Sequence, residues 1–276
     1  MDEKLLKEML EAGVHFGHHT SRWHPKMKPF IFGQRAGVHI IDLEKTASQL
    51  EVAAKFLEQL VKEEKQILFV GTKRQAQEVI GREAIRAGCP YINKRWFGGL
   101  LTNFKTIKKS ISRLKKLEEM FGTGEAQKYT KKEQLGLEVE LRKLKESFGG
   151  ITEMNEVPGA IFVLDVGAEH IAVKEAKNLG VPIVGIVDTN CSPEGITYLI
   201  PANDDGKKAI STMVSKIADI IIGAKGKRVE KVEPKEGEEE EEKVALPEEV
   251  EEIEEKLEEE IVAEEAGKIK KAKLAE

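Results

Sequence analysis

Apolar positions follow two alternating patterns along the chain. Five short apolar runs predict buried strands at 66–71, 89–94, 159–166, 181–188 and 197–202. Between them, apolar residues recur every three or four positions, which predicts helices at 74–87, 168–179 and 206–222. Strands that alternate with helices are typical of parallel sheets. The pattern therefore predicts an α/β, Rossmann-like three-layer domain with a five-stranded parallel sheet and ligand-facing loops at the carboxyl ends of its strands.

The first 65 residues predict a mixture of short elements. A helix with Asp2 as a candidate N-cap ends at Gly13, and an irregular stretch, "VHFGHHTSRWHPKMKP", follows it. The segment 30–43 predicts two short strands around a Gly-containing turn. Helical spacing of apolar residues from Asp42 to about Lys65 predicts a further helix.

A long insertion, 105–150, separates the second and third strands of the predicted sheet. Apolar residues in each half recur at intervals of three and four, and "GTGEAQKYTKKE" joins the halves. Narrow apolar seams of this kind are typical of coiled coils. The insertion therefore predicts an antiparallel coiled-coil helical hairpin that projects from the sheet. Two ordinary helices that pack flat on the domain are the alternative.

Charge is distributed unevenly. Residues 229–276 contain 20 Glu and 8 Lys, a net charge of −12, whereas 1–228 contain 36 basic and 29 acidic residues, a net charge of +7. Within 73–116, twelve Lys and Arg face two Glu. A basic body predicts a polyanionic partner, although a solvated surface is the simpler alternative. The last 48 residues lack aromatics, which predicts a disordered acidic tail.

Three parts follow from these patterns. They are an α/β domain built from 1–104 and 151–228, the hairpin 105–150, and the low-complexity tail 229–276. No apolar run approaches the length of a membrane span, and the charged N-terminus lacks the apolar core of a signal peptide. The two cysteines, Cys89 and Cys191, form no C-x-x-C pair and predict small buried side chains in a reducing compartment. We therefore expect a cytoplasmic protein with no membrane partner.

The stretch "RWFGGLLTNF", 95–104, could cradle a phosphate, hold nucleic acid or turn the chain. Neither it nor "VGTKRQAQ", 70–77, contains the glycine spacing of a dinucleotide-binding loop or a P-loop. A nucleotide-binding Rossmann-like enzyme is therefore the less favoured hypothesis, and we predict no cofactor and no small-molecule substrate. We interpret the stretch as a junction in which Gly98 and Gly99 permit a tight path and Thr102 or Asn103 caps the next helix.

Metal binding and catalysis have weaker support. Four histidines lie at His15, His18, His19 and His24, and Asp188 or Asp204 and Asp205 could approach them in the fold. Without a Cys pair or an H-E-x-x-H motif, we predict no metal site. The sequence contains no nucleophile elbow, so we predict no catalytic residue. We interpret Asp165 and Asp188, which end strands, as capping residues.

Nucleic-acid binding has the broadest support from the residues. Basic side chains alternate with aromatic or His side chains at Arg22, Trp23, His24, Lys26 and Lys28, and again at Lys94, Arg95, Trp96 and Phe97. Lys105 and Lys108 begin a basic face of the first hairpin helix, and Lys73 and Arg74 flank a helix N-terminus. Cations neutralise phosphates, and exposed aromatic rings stack on unpaired bases. Core packing is the alternative for both Trp residues and Phe97.

Several segments, in order, carry a family resemblance. The segments "LKEMLEAGVHFGHHTSRWHPKMKPFIFGQRAGVHIIDLEKT", "ILFVGTKRQAQ", "RWFGGLLTNFKTI" and "PGAIFVLDVGAEHIAVKEAKNLGVPIVGIVDTN" resemble the bacterial small ribosomal subunit protein two family. Its early hallmark is an H-F-G-H element before a W-[HN]-P-[KR]-[MF] stretch. The resemblance covers roughly 5–228, and the acidic tail lies outside it.

The resemblance implies a structural, non-enzymatic component of the small (30S) ribosomal subunit that binds small-subunit rRNA and supports assembly and translation. It implies a Rossmann-like domain with a coiled-coil hairpin, neighbours that include ribosomal proteins three, five and eight, and docking of the mRNA-binding ribosomal protein one. Basic residues within matching motifs become candidate RNA contacts: Arg22, Lys26, Lys28, Arg35, Lys73, Arg74, Lys94, Arg95, Lys105 and Lys108. A further alternative is an adhesion role at a membrane or outside the cell, which has been suggested for eukaryotic relatives. The missing secretion signal argues against it.

Overall fold

The computed structural model describes residues 3–232 of the chain, with side chains through 226. The expected N-cap at Asp2 lies outside the described residues, and so does the predicted disordered tail beyond Val232. The last helix runs to Val232, four residues into the segment predicted as tail. The residues 3–232 belong to one compact unit.

A five-stranded parallel sheet forms the centre of this unit, as the apolar runs predict. Its strands are β4 (Ile67–Val70), β5 (Tyr91–Ile92), β6 (Ala160–Leu164), β7 (Ile183–Val187) and β8 (Tyr198–Pro201). The order is β5-β4-β6-β7-β8, and every neighbouring pair is parallel. Every residue of β4, β6 and β7 is buried, which explains why these strands are continuously apolar rather than alternating.

Helices cover both faces of the sheet. They are α1 (Glu3–Ala12), α2 (Leu43–Lys62), α3 (Gln77–Arg86), α6 (His170–Leu179) and α7 (Lys207–Val232). One core cluster joins the sheet to α2, α3 and α7 through residues such as Leu57, Ile80 and Ile217, and a second joins it to α6 through Ala172 and Val173. The three-layer prediction is confirmed. Among the described helices, none is long and apolar enough to cross a membrane.

The start of α3 differs from the prediction. We expected the helix from Arg74, but it begins at Gln77. The Ala76 amide donates to the Lys73 carbonyl at 2.8 Å, and the Gln77 side chain donates to the Thr72 carbonyl at 2.9 Å. These bonds fold 72–76 into a turn. The turn places the Lys73 side chain beside aspartates that follow other strands of the sheet.

A second, antiparallel sheet lies in the N-terminal region. It contains β1 (Phe16–His19), β2 (Ile31–Arg35) and β3 (Val38–Ile41) in the order β1-β3-β2. The strands β2 and β3 are the two predicted from the sequence, whereas β1 lies in the stretch that we expected to be irregular. Gly17 permits its position, because a Cβ there would lie 2.6 Å from the Thr189 methyl group. The β1 strand is therefore held close to the loop after β7.

The insertion forms two helices, α4 (Phe104–Gly122) and α5 (Lys131–Phe148). Thr130 and Glu133 form a capping box at the start of α5. Residues 123–130 join the two helices, and the ring of Phe97, which precedes α4, lies 5.1 Å from the ring of Phe148 at the end of α5, so the start of α4 meets the end of α5. The helices are antiparallel, and the buried α4 residues Ile107, Ile111 and Leu114 join the second core cluster.

Candidate nucleic-acid interface

A cluster of charged side chains lies at the carboxyl edge of the large sheet. Lys73 follows β4, Asp165 follows β6, Asp188 follows β7, and Asp204 and Asp205 follow β8. The Lys73 ammonium lies 2.7 Å from Asp204, 2.5 Å from Asp205 and 3.2 Å from Asp165. We call His18, Lys73, Asp165, Asp188, Asp204 and Asp205 the carboxyl-edge cluster. Parallel strands end at one edge, which is why residues more than 130 positions apart meet here.

Burial and mutual repulsion shift the protonation of this cluster. Burial, together with the charges of Asp165 and Asp188, raises the pKa of the fully buried Asp204 to about 7. Burial also disfavours the charge of Lys73, but hydrogen bonds to Asp204 and Asp205 outweigh it and raise the pKa of Lys73. The ammonium of Lys73 is therefore held as a permanent internal cation among carboxylates.

Of the four clustered histidines, only His18 meets the aspartates. Its Nδ1 lies 3.1 Å from Asp188 and its Nε2 lies 3.1 Å from Asp205, and the hydrogen bond to Asp188 raises its pKa. Donor atoms of His18, Asp188 and Asp204 lie within 4.8 Å of one another, which is compatible with a divalent cation. His19 and His24 instead accept backbone amides at the starts of short 3-10 helices.

The N-terminal segment contacts the loops that follow β7 and β8. The His18 amide donates to the Thr189 hydroxyl at 2.8 Å, and the His24 amide donates to the Thr189 carbonyl at 2.7 Å. Asn203, after β8, donates its amide to the Val14 carbonyl. The N-terminal segment is thus held against the carboxyl ends of β7 and β8.

The capping role expected for two strand-end aspartates is only part of what they do. Asp165 Oδ1 accepts the Ala168 amide at 3.0 Å, and Asp188 Oδ1 accepts the Thr189 amide at 2.5 Å. Each carboxylate also faces a charged partner, Lys73 for Asp165 and His18 for Asp188. Cys191 lies beside them as a buried thiol whose pKa is raised to about 12 by burial and by these carboxylates.

The junction "RWFGGLLTNF" does cradle an anion, but the anion belongs to the protein. Glu175 of α6 is 7 % exposed. One of its oxygens accepts the Trp96 indole N–H at 3.1 Å and the Gly99 amide at 2.7 Å. The other accepts the amides of Leu101 at 3.0 Å and Thr102 at 3.2 Å, and the Thr102 hydroxyl at 3.2 Å. The amides that a nucleotide phosphate would need are already used.

The predicted helix cap in the junction is wrong in its bonding. Asn103 occupies the N-cap position of α4 but caps no amide; its side chain instead accepts the Thr106 hydroxyl. The Thr102 hydroxyl donates to Glu175 instead of capping the helix, because a buried carboxylate without hydrogen-bond donors is energetically costly. The tight path is confirmed at Gly99, which has a φ of +87°.

Trp96 and Phe97 of the junction serve packing. Trp96 is buried and belongs to the second core cluster, and the half-buried Phe97 lies with its ring 5.1 Å from that of Phe148. Trp23 is half-buried, with its ring tilted 5.3 Å from that of His39. Of the three aromatic candidates, Trp96 is therefore anchored in the core, and its indole N–H is already used by Glu175.

Basic side chains cover the outer face of α4. Residues three or four positions apart share one face of a helix, and the face opposite the buried stripe carries what we call the basic stripe: Lys105, Lys108, Lys109, Arg113 and Lys116. Four of these residues line a shallow depression with Ser112. Only Arg113 has an internal partner, Glu140, among the described residues.

The remaining candidate contacts divide by their partners. Lys26 pairs with Glu194, and Lys94 donates to the Gln77 side chain at 3.3 Å. Within residues 3–226, the other exposed candidates carry cations without an internal acceptor, and they are Arg22, Lys28, Arg35, Arg74, Arg95, Lys105 and Lys108. The sequence does not indicate which cations are paired, because Glu194 and Gln77, the partners of Lys26 and Lys94, are remote from them in the chain.

Sequence reasoning missed Glu175, the residue that organises the junction. A weak signal exists, because Glu175 shares one helical face with the buried Ala172 and Ala176. A carboxylate on an apolar face must be compensated, and the neighbouring Lys174 and Lys177 are one and two positions away, which places them on other faces of the helix.

These features define a class of protein. An α/β domain whose inserted helix carries several exposed cations without an acceptor among residues 3–226 is suited to binding a polyanion. The family described as ribosomal protein S2 matches residues 9–224, and the chain belongs to that family. The family consists of structural ribosomal proteins with a role in the small subunit, and its members are not enzymes.

Proposed function

We propose that this protein binds small-subunit rRNA as a structural constituent of the 30S subunit in the cytoplasm and supports assembly and translation. The unpaired cations of the junction and the basic stripe are the observation that carries the proposal. Lys105, Lys108 and Lys109 point away from the core on one helical face, and Arg95 lies beside the same junction. Closely spaced cations without internal acceptors suit a phosphate backbone, because each neutralised phosphate releases counterions.

The exposed candidates near the N-terminal sheet extend the proposed interface. Arg22, Lys28 and Arg35 lie around the N-terminal sheet, and Arg74 lies in the turn after β4. We assign Lys73 to the carboxyl-edge cluster rather than to RNA, since three carboxylates already surround its ammonium. Trp23 and His24 have internal partners and support the segment that carries the cations.

The helical insertion is the part of the proposed interface that carries the basic stripe. We propose that α4 and α5 form a coiled coil that carries the basic stripe beyond the α/β domain, with ribosomal proteins three, five and eight among its neighbours. Leu114 and Leu117 of α4 are buried, and Leu141 and Leu144 of α5 pack against the second core cluster. Apolar residues at spacings of three and four support that geometry.

Co-sedimentation with ribosomal subunits tests the proposed role. Tagged protein should migrate with small subunits in a sucrose gradient, and the isolated protein should protect defined segments of small-subunit rRNA from chemical cleavage. A matched variant in which Arg95, Lys105 and Lys108 are all replaced by Ala should protect these segments more weakly. Failure of the wild-type protein to enter small subunits or to protect rRNA would contradict the proposal.

An exposed apolar surface supports a second partner, the mRNA-binding ribosomal protein one. Phe32 is 79 % exposed, and Leu10 and Phe16 are about half exposed. Phe32 and Leu10 line a groove between α1 and the N-terminal sheet, together with Leu6, His15 and Ile40. Contiguous exposed apolar surface commonly marks a protein interface.

A matched pair of substitutions tests this docking surface. Phe32→Ser should reduce co-sedimentation of ribosomal protein one with small subunits while the protein itself remains incorporated. Ile85→Ser is the control, because Ile85 is a similarly exposed apolar residue on α3. Equal recovery of ribosomal protein one with both variants would remove the apolar groove from the interface.

A further inference from the structure

We infer that Glu175 is the positioning residue of the RNA interface: its carboxylate fixes the junction so that Arg95 and the first cations of α4 reach RNA together. The inference rests on the proposed function, because it names how the same interface is organised. Glu175 itself is buried and does not reach the surface.

The bonding pattern is suited to a carboxylate alone. All five groups around Glu175 are donors: one indole N–H, three backbone amides and one hydroxyl. None of the cations described in residues 3–226 pairs with it. Burial disfavours its charge, but hydrogen bonds from Gly99 and Trp96 outweigh burial and lower its pKa. The buried charge is thus compensated wholly by dipoles of the junction.

These bonds determine where the cations lie. Arg95 is adjacent to Trp96, and Lys105 comes three residues after Thr102. The Asn103 amide donates to the Gly99 carbonyl at 2.7 Å, which ties the start of α4 to the same turn. Glu175 therefore connects α6, a part of the rigid sheet packing, to both flanks of the junction. A change at Glu175 moves the flanking cations without removing any of them.

The isosteric substitution Glu175→Gln removes this organisation. A glutamine offers one acceptor oxygen, and its amide group would direct N–H donors towards the amides of Leu101 and Thr102 or towards Trp96 and Gly99. We expect faster hydrogen exchange of the amides at 99, 101 and 102 in the free protein. We also expect the Kd for small-subunit rRNA to rise about tenfold, with a log–log salt slope shallower by about 1–2 units.

Glu83→Gln is the control for lost stability. Glu83 is also buried, and it accepts Arg82 and Arg86 on α3, away from the junction. Both variants should melt at lower temperature, but at a temperature where both are folded, only Glu175→Gln should change the salt slope. Equal slopes in Glu175→Gln and Glu83→Gln would reduce Glu175 to a stability residue and overturn the inference.

A double substitution separates positioning from stability more sharply. In a protein that already carries Ala at Arg95, Lys105 and Lys108, Glu175→Gln should change the salt slope no further, since it acts through those cations. A full additional change in that background would overturn the inference. If wild-type protein does not bind rRNA, the proposed function fails by itself. The exchange rates of amides 99–102 then still decide whether Glu175 holds the junction.

Discussion

The carboxyl-edge cluster and the basic stripe both contain lysines from basic segments of the sequence, yet they use positive charge in opposite ways. Lys73 is 19 % exposed and lies among Asp165, Asp204 and Asp205. Lys105 and Lys108 are exposed and have no internal acceptor among the described residues. A lysine can therefore connect the ends of strands within the fold or present charge to a partner. Its neighbours in space, rather than in sequence, decide which of the two it does.

The largest expected effect is on stability, at Lys73. Lys73→Ala leaves Asp165, Asp204 and Asp205 without their shared cation, and removing one partner of a buried ion pair costs about 3 kcal/mol or more. Urea unfolding measures this loss of unfolding free energy. Lys108→Ala, the matched change on the basic stripe, should cost less than about 0.5 kcal/mol. Similar losses in both variants would remove the distinction between the two regions.

The dependence of stability on pH is the next effect in size. Asp204 has a pKa of about 7 in the folded protein, whereas an unfolded Asp has a pKa of about 3.9. The folded state therefore binds this proton more tightly, and its contribution to stability is lost as the pH rises towards 7. The pKa of His18 is also raised in the folded protein, so its contribution to stability is likewise lost as the pH rises through that folded pKa. We expect a lower unfolding free energy at pH 8 than at pH 5.5.

A variant identifies the source of that pH dependence. Asp204→Asn removes the titrating carboxyl, so the change in unfolding free energy between pH 5.5 and 8 should become smaller. Carboxylates with lowered pKa, Glu83 and Glu175, act below this window, because their stabilisation is lost only as they become protonated in acid. A profile that rises from pH 5.5 to 8 in the wild-type protein would show that the cluster does not hold Asp204 as described.

How much of this arrangement the sequence predicts depends on the distance between partners. The five strands and the two insertion helices follow from local apolar spacing, and the structure confirms them. The β1 strand was missed because "FGHH" has no apolar alternation and depends on its ladder with β3. The predicted start of α3 was too early, because Lys73 forms ion pairs with aspartates more than 90 residues away in the sequence.

The site was harder to predict than the fold for the same reason. Glu175 lies more than 70 residues from the amides that it binds, and no residue of "RWFGGLLTNF" indicates which side chain accepts from those amides. The pairing of Lys26 with Glu194 likewise joins remote segments. Sequence patterns identify basic segments, whereas only tertiary contacts show which cations are already compensated inside the protein.

A smaller effect should follow from turning a paired cation into an unpaired one. Glu140→Gln weakens the exposed Arg113–Glu140 pair and should cost about 0.2–1 kcal/mol of stability. It also frees a guanidinium on the basic stripe, so the log–log salt slope of rRNA binding should become steeper by roughly 0.7. Glu138→Gln is the control, because Glu138 is an exposed neighbour on α5 with no basic partner among the described residues. Identical slopes for the two variants would place Arg113 outside the interface.

The smallest effect is expected from truncation after α7. Deleting 233–276 removes the segment beyond Val232, whose composition offers few apolar side chains and no aromatic ring for a core. The melting temperature should change by no more than about 2 °C, since the buried residues of α7 remain. Differential scanning calorimetry measures the shift, and a fall of many degrees would show that the segment supports the α/β domain.

The salt dependence of binding to small-subunit rRNA tests the central claim most directly. The claim is that unpaired cations of the junction and α4, and not the lysine of the carboxyl-edge cluster, neutralise phosphates. Replacing Arg95, Lys105 and Lys108 by Ala should make the log–log slope shallower by about 2–3 units, at 0.7–0.9 per lost phosphate contact. Lys73→Ala, measured where it is folded, should leave the slope unchanged. A slope that follows Lys73 and ignores the triple variant would contradict the account.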